Sequence, residues 1–342
     1  MQILLRKVLT ALLFIGIAFS SNPLKYAKPK LSDYGFFIGD LANLKPNKNV
    51  VPYKVSAELF SDYAIKSRFV VLPKGEQIIY QSNGEFAYPI GSTLIKSFYY
   101  PADIREPEEN IRLMETRLLI NTTEGWIGYP YVWNEAQTEA FLEIAGERLD
   151  VSFINSQGNE ESFNYSVPNF NQCKGCHVNQ NKMKPIGIKA RLLNHEYDYA
   201  DGSMNQLKKW SLLDMIKNLP EISTISHTPN YNDPNDGTLE ERARAWIDMN
   251  CAHCHRLGAP GETSGLVPDP IWKEQLHGES WYLGDTYTFG IGQGYLTVTP
   301  LQMAVWTAAI ANDGKIIKPR LVQRTVSEGI SRDIPIIIED NL

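Results

Sequence analysis

All four cysteines of this 342-residue chain fall in two copies of one five-residue pattern, Cys173-Lys-Gly-Cys176-His177 and Cys251-Ala-His-Cys254-His255. None is left over to pair elsewhere. Cysteines at i and i+3 lie on one face of a helical turn, so each copy presents two thiols together with an imidazole directly behind them. Covalent c-type haem attachment needs that set: two thioethers to the vinyl groups and one axial nitrogen for the iron. The spacing therefore predicts two covalently attached haem c groups, with Cys173, Cys176, Cys251 and Cys254 as anchors and His177 and His255 as iron ligands. A zinc site built from two Cys-x-x-Cys knuckles leaves both histidines unexplained; a redox-active pair cycling between thiols and disulfide is the other alternative. The far-side ligand of the first iron is assigned to Met183, six residues after His177, with Met204, Met215, His195 and His227 as alternatives. His253 is read as a solvated or propionate-side residue, not a ligand.

The N-terminus joins Arg6 and Lys7 to an apolar run from Val8 to Phe19, followed by small residues spaced for a signal peptidase. The run is shorter than the about 20 residues that a membrane span needs. A signal peptide over residues 1–20 and a periplasmic location are expected, with membrane attachment only if that segment stays uncleaved. A net charge of -6 and a pI near 5.6 argue against nucleic acid as a partner, because phosphate-binding surfaces are basic. The expected partner is a redox donor or acceptor protein.

Between Leu31 and Tyr165, apolar and aromatic runs alternate with turn residues. Expected strands are 68–72, 94–100, 113–120, 126–133, 148–154 and 162–165, with reversals at Ser82-Asn83-Gly84, Asn121 to Gly125 and Gln157-Gly158-Asn159. This predicts an all-β, sandwich-like domain over 31–166. The first haem-binding region is set at 167–237. A helix over 239–250 opens on a capping box of Thr238 and Glu241, presents Leu239, Ala243, Trp246 and Ile247 on one face, and delivers Cys251. Residues 238–266 are read as the start of a second, truncated cytochrome c-like haem domain, and 267–342 as a separate fragment. In the latter, Thr299, Pro300 and Gln302 open a helix that Gly314 is placed to end. The expected fold class is thus mixed: an all-β domain, a small α-helical cytochrome c-like region, then an α+β fragment.

Two resemblances fit these residues. Residues from about 31 to 266 resemble a family of exported dihaem cytochromes, through Leu31-Ser-Asp-Tyr-Gly35, Leu59-Phe-Ser-Asp-Tyr63, Leu113-Met-Glu-Thr-Arg117, Tyr131-Val-Trp-Asn134 and the two cysteine motifs. That resemblance implies haem binding and electron transfer. From about 260 to 325 the chain instead resembles the transpeptidase domain of elongation-type penicillin-binding proteins. Pro260-Gly-Glu-Thr-Ser-Gly-Leu-Val-Pro-Asp-Pro270, Trp281-Tyr-Leu-Gly-Asp-Thr286, Gly290-Ile-Gly-Gln-Gly-Tyr295 and Thr299-Pro-Leu-Gln-Met303 carry the likeness. Thr263-Ser-Gly-Leu266 fits both patterns, as a join between two genes would.

Such transpeptidases act through a Ser-x-x-Lys serine, a Ser-x-Asn motif and a Lys-Thr-Gly strand. No Ser-x-x-Lys occurs here, and Ser92-Thr-Leu-Ile-Lys96 is one residue too long. The expected function is periplasmic electron transfer by two haems, with no enzyme activity. The alternatives are a haem enzyme acting on peroxide or another small oxidant, and a fused product whose tail is an inactive transpeptidase fragment. A cell-wall role through the tail is the further rival. The tail offers Met303 alone as a thioether for the haem at His255, and core filling is the expected role of that side chain.

Overall fold

Strands that alternate in polarity bury one face each, and here both faces of the resulting sheet find cover. A computed structural model describes residues 23–179, 182–252, 268–290, 293–296, 298–317, 324–327, 330–333 and 338–341. The signal segment, Cys254, His255 and the join at 263–266 lie outside the described residues.

Strands β1 (Val50–Tyr53), β2 (Ile65–Val71), β3 (Ile78–Tyr80), β4 (Phe86–Ala87), β5 (Thr93–Tyr100), β6 (Arg112–Thr122), β7 (Gly125–Trp133), β8 (Ala140–Leu142), β9 (Glu147–Ile154) and β10 (Glu160–Val167) follow in chain order. A six-stranded sheet runs β1-β2-β5-β6-β7-β8, antiparallel throughout. The six strands expected from the sequence coincide with β2, β5, β6, β7, β9 and β10, whereas β1, β3, β4 and β8 add to them. The β9–β10 hairpin closes through Asn155, whose side chain accepts from the Gln157 and Asn159 amides. Gly158 supplies the left-handed residue that the reversal needs, at φ 85°.

One face of the sheet, including Phe69, Ile95, Leu118, Tyr129 and Tyr131, is covered by Leu31, Phe36, Phe37 and Leu44 of the N-terminal segment. The other face is covered in two parts. At one end, Phe98 and Val132 pack against Val151, Phe153, Tyr165 and Val167 of the β9–β10 hairpin. At the other, Val70, Leu94 and Leu119 pack against helical elements. The second sheet of a full sandwich is thus replaced by a hairpin and helices.

Those elements come from 173–250. They are α1 (Cys173–His177), the two-residue strands β11 (Val178–Asn179) and β12 (Lys182–Met183), and α2 (Ala190–Leu193). The hairpin β13 (Glu196–Tyr199) and β14 (Gly202–Asn205), α3 (Gln206–Leu212), β15 (Ile216–Lys217) and α4 (Leu239–Asn250) follow. Leu193, Leu207 and Trp210 are wholly buried, each contributing on the order of 1.5–3 kcal/mol. The sheet and residues up to 250 thereby share one core. The helical part is made of short segments packed on a sheet, without the helical arrangement expected of a cytochrome c-like region.

The capping box of α4 is present as expected, with Thr238 accepting from the Glu241 amide. Its buried face is different. Ala245 and Met249 enter the core, while Leu239 and Trp246 are exposed. Helix position alone does not say which flank the neighbours cover, and here the Met249 methyl packs by Gly187.

The C-terminal part holds α5 (Pro270–His277), α6 (Leu283–Gly290), α7 (Pro300–Ala311) and the strand pairs β16 (Lys315–Ile317) with β19 (Ile338–Asn341) and β17 (Arg324–Ser327) with β18 (Ile330–Asp333). Thr299 and Gln302 form the expected box with Pro300 in the first turn, and Gly314 lies at φ 83° just past the end. Met303, expected to fill a core, is instead 56% exposed. No helix among the described residues is long and apolar enough to cross a membrane.

Candidate functional site

Strand β10 runs into a tight turn that places α1 against β7. Asn169 organises the turn, its side chain accepting from the Asn171 and Gln172 amides. Cys173 then faces Gly128 of β7 so closely that a Cβ built on that glycine would lie 3.4 Å from the Cys173 Cβ and 3.5 Å from its Sγ. The same Cβ would lie 3.1 Å from the Met183 methyl. Glycine at 128 therefore makes the room in which the first thiol and Met183 meet.

Cys173 is half-buried and Cys176 exposed, and no disulfide joins the described cysteines. Burial pushes the Cys173 thiol up, against the pull of the nearby Arg117 guanidinium. His177 is held twice by one residue: its Nδ1 lies 2.8 Å from the Lys184 carbonyl oxygen, and the Lys184 amide donates to the His177 carbonyl at 2.8 Å. A carbonyl can only accept, so Nδ1 carries the proton and Nε2 is the basic nitrogen, as an imidazole ligand requires.

A cleft of about 1370 Å³ opens beside these groups, lined among others by Tyr88, Trp126, Gly128, Met183, Pro185 and Met249. Lys174, Lys182, Lys184, Lys189 and Arg191 also reach it, with Arg191 donating to Asp248 at 2.5 Å. Ala252, next to Cys251, also lines it, as do Lys174 and Val178 on either side of Cys176 and His177.

Of the expected ligands, Met183 lines this cleft and sits directly across the hairpin from Val178. The four alternatives are elsewhere. Met215 is buried in the core, and Met204 pairs across to Tyr197. His195 bonds Lys54 and Gln206, and His227 bonds Asp236. Sequence reasoning missed Gly128 and Met249. Neither stands near Cys173 in sequence, and only the packing brings them there. Among the described residues no group of three or more His, Cys, Asp and Glu side chains could hold a metal ion by itself.

In the C-terminal part, Lys273 is the organising charge. Its ammonium donates to Asp285 at 2.7 Å and lies 3.7 Å from Glu279, beneath the Tyr282 ring. The Asp285 bond raises the lysine and holds the carboxyl below its ordinary range. Asp285 also accepts from the Tyr282 amide, so Trp281-Tyr-Leu-Gly-Asp285 is folded onto Lys273 by one carboxylate.

Residues 248–339 match the penicillin-binding protein transpeptidase domain. The chain is 43% identical over 90 residues to the peptidoglycan D,D-transpeptidase MrdA of Escherichia coli strain K12, covering 26% of this chain and 14% of that protein. It is 48% identical over 61 residues to MrdA of Salmonella typhimurium strain SL1344, 18% of this chain and 10% of that one. Penicillin-binding protein PbpB of Mycobacterium tuberculosis strain H37Rv shares 42% over 76 residues, 22% of this chain and 10% of its own length. The chain thus spans about a tenth of the length of these curated relatives. No solved structure matches.

These matches overturn two expectations. The chain was expected to function as a dihaem electron-transfer protein and to be no enzyme, and the proteins it is similar to are transpeptidases. A five-residue motif is a short signal, whereas 60–90 matched residues make the tail similar to these transpeptidases over a continuous run. The likeness of 260–325 to penicillin-binding transpeptidases stands, and extends in both directions.

Proposed function

We propose that the chain is a fused product whose function belongs with peptidoglycan transpeptidation, through residues 248–339. The observation that supports this most directly is the 43% identity over 90 residues to a D,D-transpeptidase. Peptidoglycan lies outside the cytoplasmic membrane, so the reading goes with export to the periplasm. Two measurements test it. Amplification of source DNA across codons 250–280 should give the joined product, and failure to obtain it refutes the fusion. Incubation with fluorescent penicillin followed by peptide mapping tests acyl transfer, in which a serine Oγ bonds to the lactam carbonyl carbon as the C–N bond opens and the hydroxyl proton passes to the lactam nitrogen. A label on a serine of this chain establishes the reaction. Absence of a label, together with no retention on purified sacculi, sinks the peptidoglycan reading.

A second component rests on a separate observation, the cleft at Cys173. The donor set fits covalent haem: two thiols on one turn, an imidazole anchored through Nδ1 to the Lys184 carbonyl, and an adjoining cleft larger than ordinary small-molecule pockets of about 300–1,000 Å³. Cys173 and Cys176 would hold the porphyrin through thioethers, and His177 would bind its iron. Cys251, Cys254 and His255 would do the same at the second site. Once bound, the group supplies an iron centre whose properties its axial ligands tune. This chain's part would be to fix the His177 tautomer, leave room beside Cys173 at Gly128 and line the space with Trp126, Met183 and Met249. Intact mass after expression with a cytochrome maturation system should show two covalent haems, falling to one in Cys173→Ala/Cys176→Ala. A mass without haem, or zinc in its place, refutes this component.

A further inference from the structure

Cross-strand registry places three cations side by side on the sheet face that carries Cys173. Arg68 of β2 is opposite Lys96 of β5, and Lys96 is opposite Arg117 of β6. Like charges directly opposite each other destabilise a sheet. Lys66 lies two residues along β2 from Arg68, on the same face. The row occupies the belt between the two apolar clusters of that face, with Val70, Leu94 and Leu119 on one side and Phe98 and Val132 on the other.

Two carboxylates answer four cations. Glu58 accepts from Arg68 at 3.0 Å and lies 3.9 Å from Lys66. Glu115, wholly buried, takes the Arg117 Nε at 2.8 Å and NH2 at 2.5 Å, together with the Tyr165 hydroxyl at 2.6 Å. Lys96 has no carboxylate within ion-pair distance among the described residues, and its ammonium rests 5.0 Å from the centre of the Phe98 ring. The Arg117 guanidinium lies over the same ring at 4.3 Å. Burial, with Arg117, Arg68 and Lys66 nearby, pushes the Lys96 ammonium down to about 7, and Lys66 comes down to about 8. A row with two more cations than carboxylates, in which Arg68 and the Lys66 side chain are buried, costs stability unless something negative completes it. Arg117 is 32% exposed, so the row is reachable from solvent.

We propose that Arg68, Lys96 and Arg117, with Lys66, form an anion-binding site for a ligand carrying two carboxylates. Guanidinium groups bind planar carboxylates through paired N–H donors, and Arg117 already does so with Glu115. Two ligand charges match the surplus of the fully protonated row. The row is one step along the strands from Leu119 and Gly128, and Gly128 abuts Cys173. The carboxylates could therefore belong to a porphyrin attached at that thiol or to a free dicarboxylic acid.

Thermal denaturation of the full chain, titrated with malonate against sodium chloride at matched ionic strength, tests the site. Haem-free protein should show a saturating rise in Tm with malonate beyond that with chloride. Lys96→Met should melt higher than the parent without ligand, yet bind malonate roughly tenfold or more weakly by calorimetry, the loss expected for a charge-assisted hydrogen bond. Lys96→Gln, which keeps polarity, should also lose the response. Loss of the response in haem-loaded protein assigns the carboxylates to the porphyrin, and its persistence assigns them to a free acid. A parent that responds no more to malonate than to chloride overturns the site, as does a Lys96→Met protein that keeps the whole response.

Discussion

The sheet unit and the C-terminal part are built from equally well-formed local structure but finish differently. In the sheet unit, Tyr129, Tyr131, Leu118 and Trp210 are wholly buried, and each face of the sheet has its cover. In the C-terminal part, α7 has a capping box and a proline start, yet Met303 is 56%, Trp306 51% and Ile310 81% exposed. Only Ala309 of α7 is buried among its described side chains. Helix ends are specified by a few adjacent residues, whereas a core needs partners from distant sequence. The described residues of α7 carry the first with little of the second, in a segment similar to about a tenth of a larger protein.

The sharpest way to break this contrast is to cut large side chains from both parts. Trp210→Ala should cost about 3–5 kcal/mol, because a buried indole leaves a cavity. Trp306→Ala should stay within about 0.5 kcal/mol, as a surface change does. Urea unfolding followed by far-ultraviolet circular dichroism measures both. Equal losses would mean that α7 is packed in solution.

Next in size is the buried carboxylate. Glu115→Ala leaves Arg117 and the Tyr165 hydroxyl without their acceptor and should cost about 3 kcal/mol or more. Lys273 has a comparable position in the C-terminal part, but its partners Asp285 and Glu279 join residues close in sequence. Asp285→Ala should therefore leave the main unfolding transition where it is. A shift in that transition as large as that of Glu115→Ala would show one cooperative unit instead of two.

How much of this was legible follows from what each feature depends on. Strands β5, β6 and β7 show in the sequence because their alternation is local. Strand β1 did not show, since Pro52 argues against a strand, and its place at the sheet edge is what tolerates a residue without an amide proton. Cys173, Cys176 and His177 were legible as a motif, but the cleft was not, because Gly128 and Met249 reach it through packing. The row Arg68, Lys96 and Arg117 is invisible without register, since a slip of one residue would move each cation to the opposite face.

That row makes the sheet unit respond to pH. Lys96 and Lys66 have folded-state values near 7 and 8, below those of the unfolded chain. From about pH 7 to 9.5 the unfolded chain binds more protons than the folded one, so stability rises with pH in that window. Below it both states hold these protons and the dependence from these two groups ends. The urea midpoint should therefore climb between pH 7 and 9.5, and Lys96→Met should lose most of the climb. A flat parent profile would mean that the lysines are better solvated than their burial indicates.

The smallest effect compares one device in both parts. Thr238 and Thr299 each cap a helix by accepting from the amide three residues on, in boxes completed by Glu241 and Gln302. Removing either side chain removes the same hydrogen bond, worth about 1 kcal/mol to its own helix. What differs is where that energy is felt. Helix α4 docks Ala245 and Met249 into the shared core, so fraying its first turn loosens groups that the sheet packs against. Thr238→Ala should lower the global urea midpoint by the equivalent of about 1 kcal/mol. Helix α7 leaves Met303, Trp306 and Ile310 exposed, so Thr299→Ala should leave the global midpoint alone. It should instead speed amide hydrogen exchange in residues 300–304, where opening is local and its free energy is well below that of the whole unit. A global shift from Thr299→Ala equal to that from Thr238→Ala would show that α7 is coupled to the core after all.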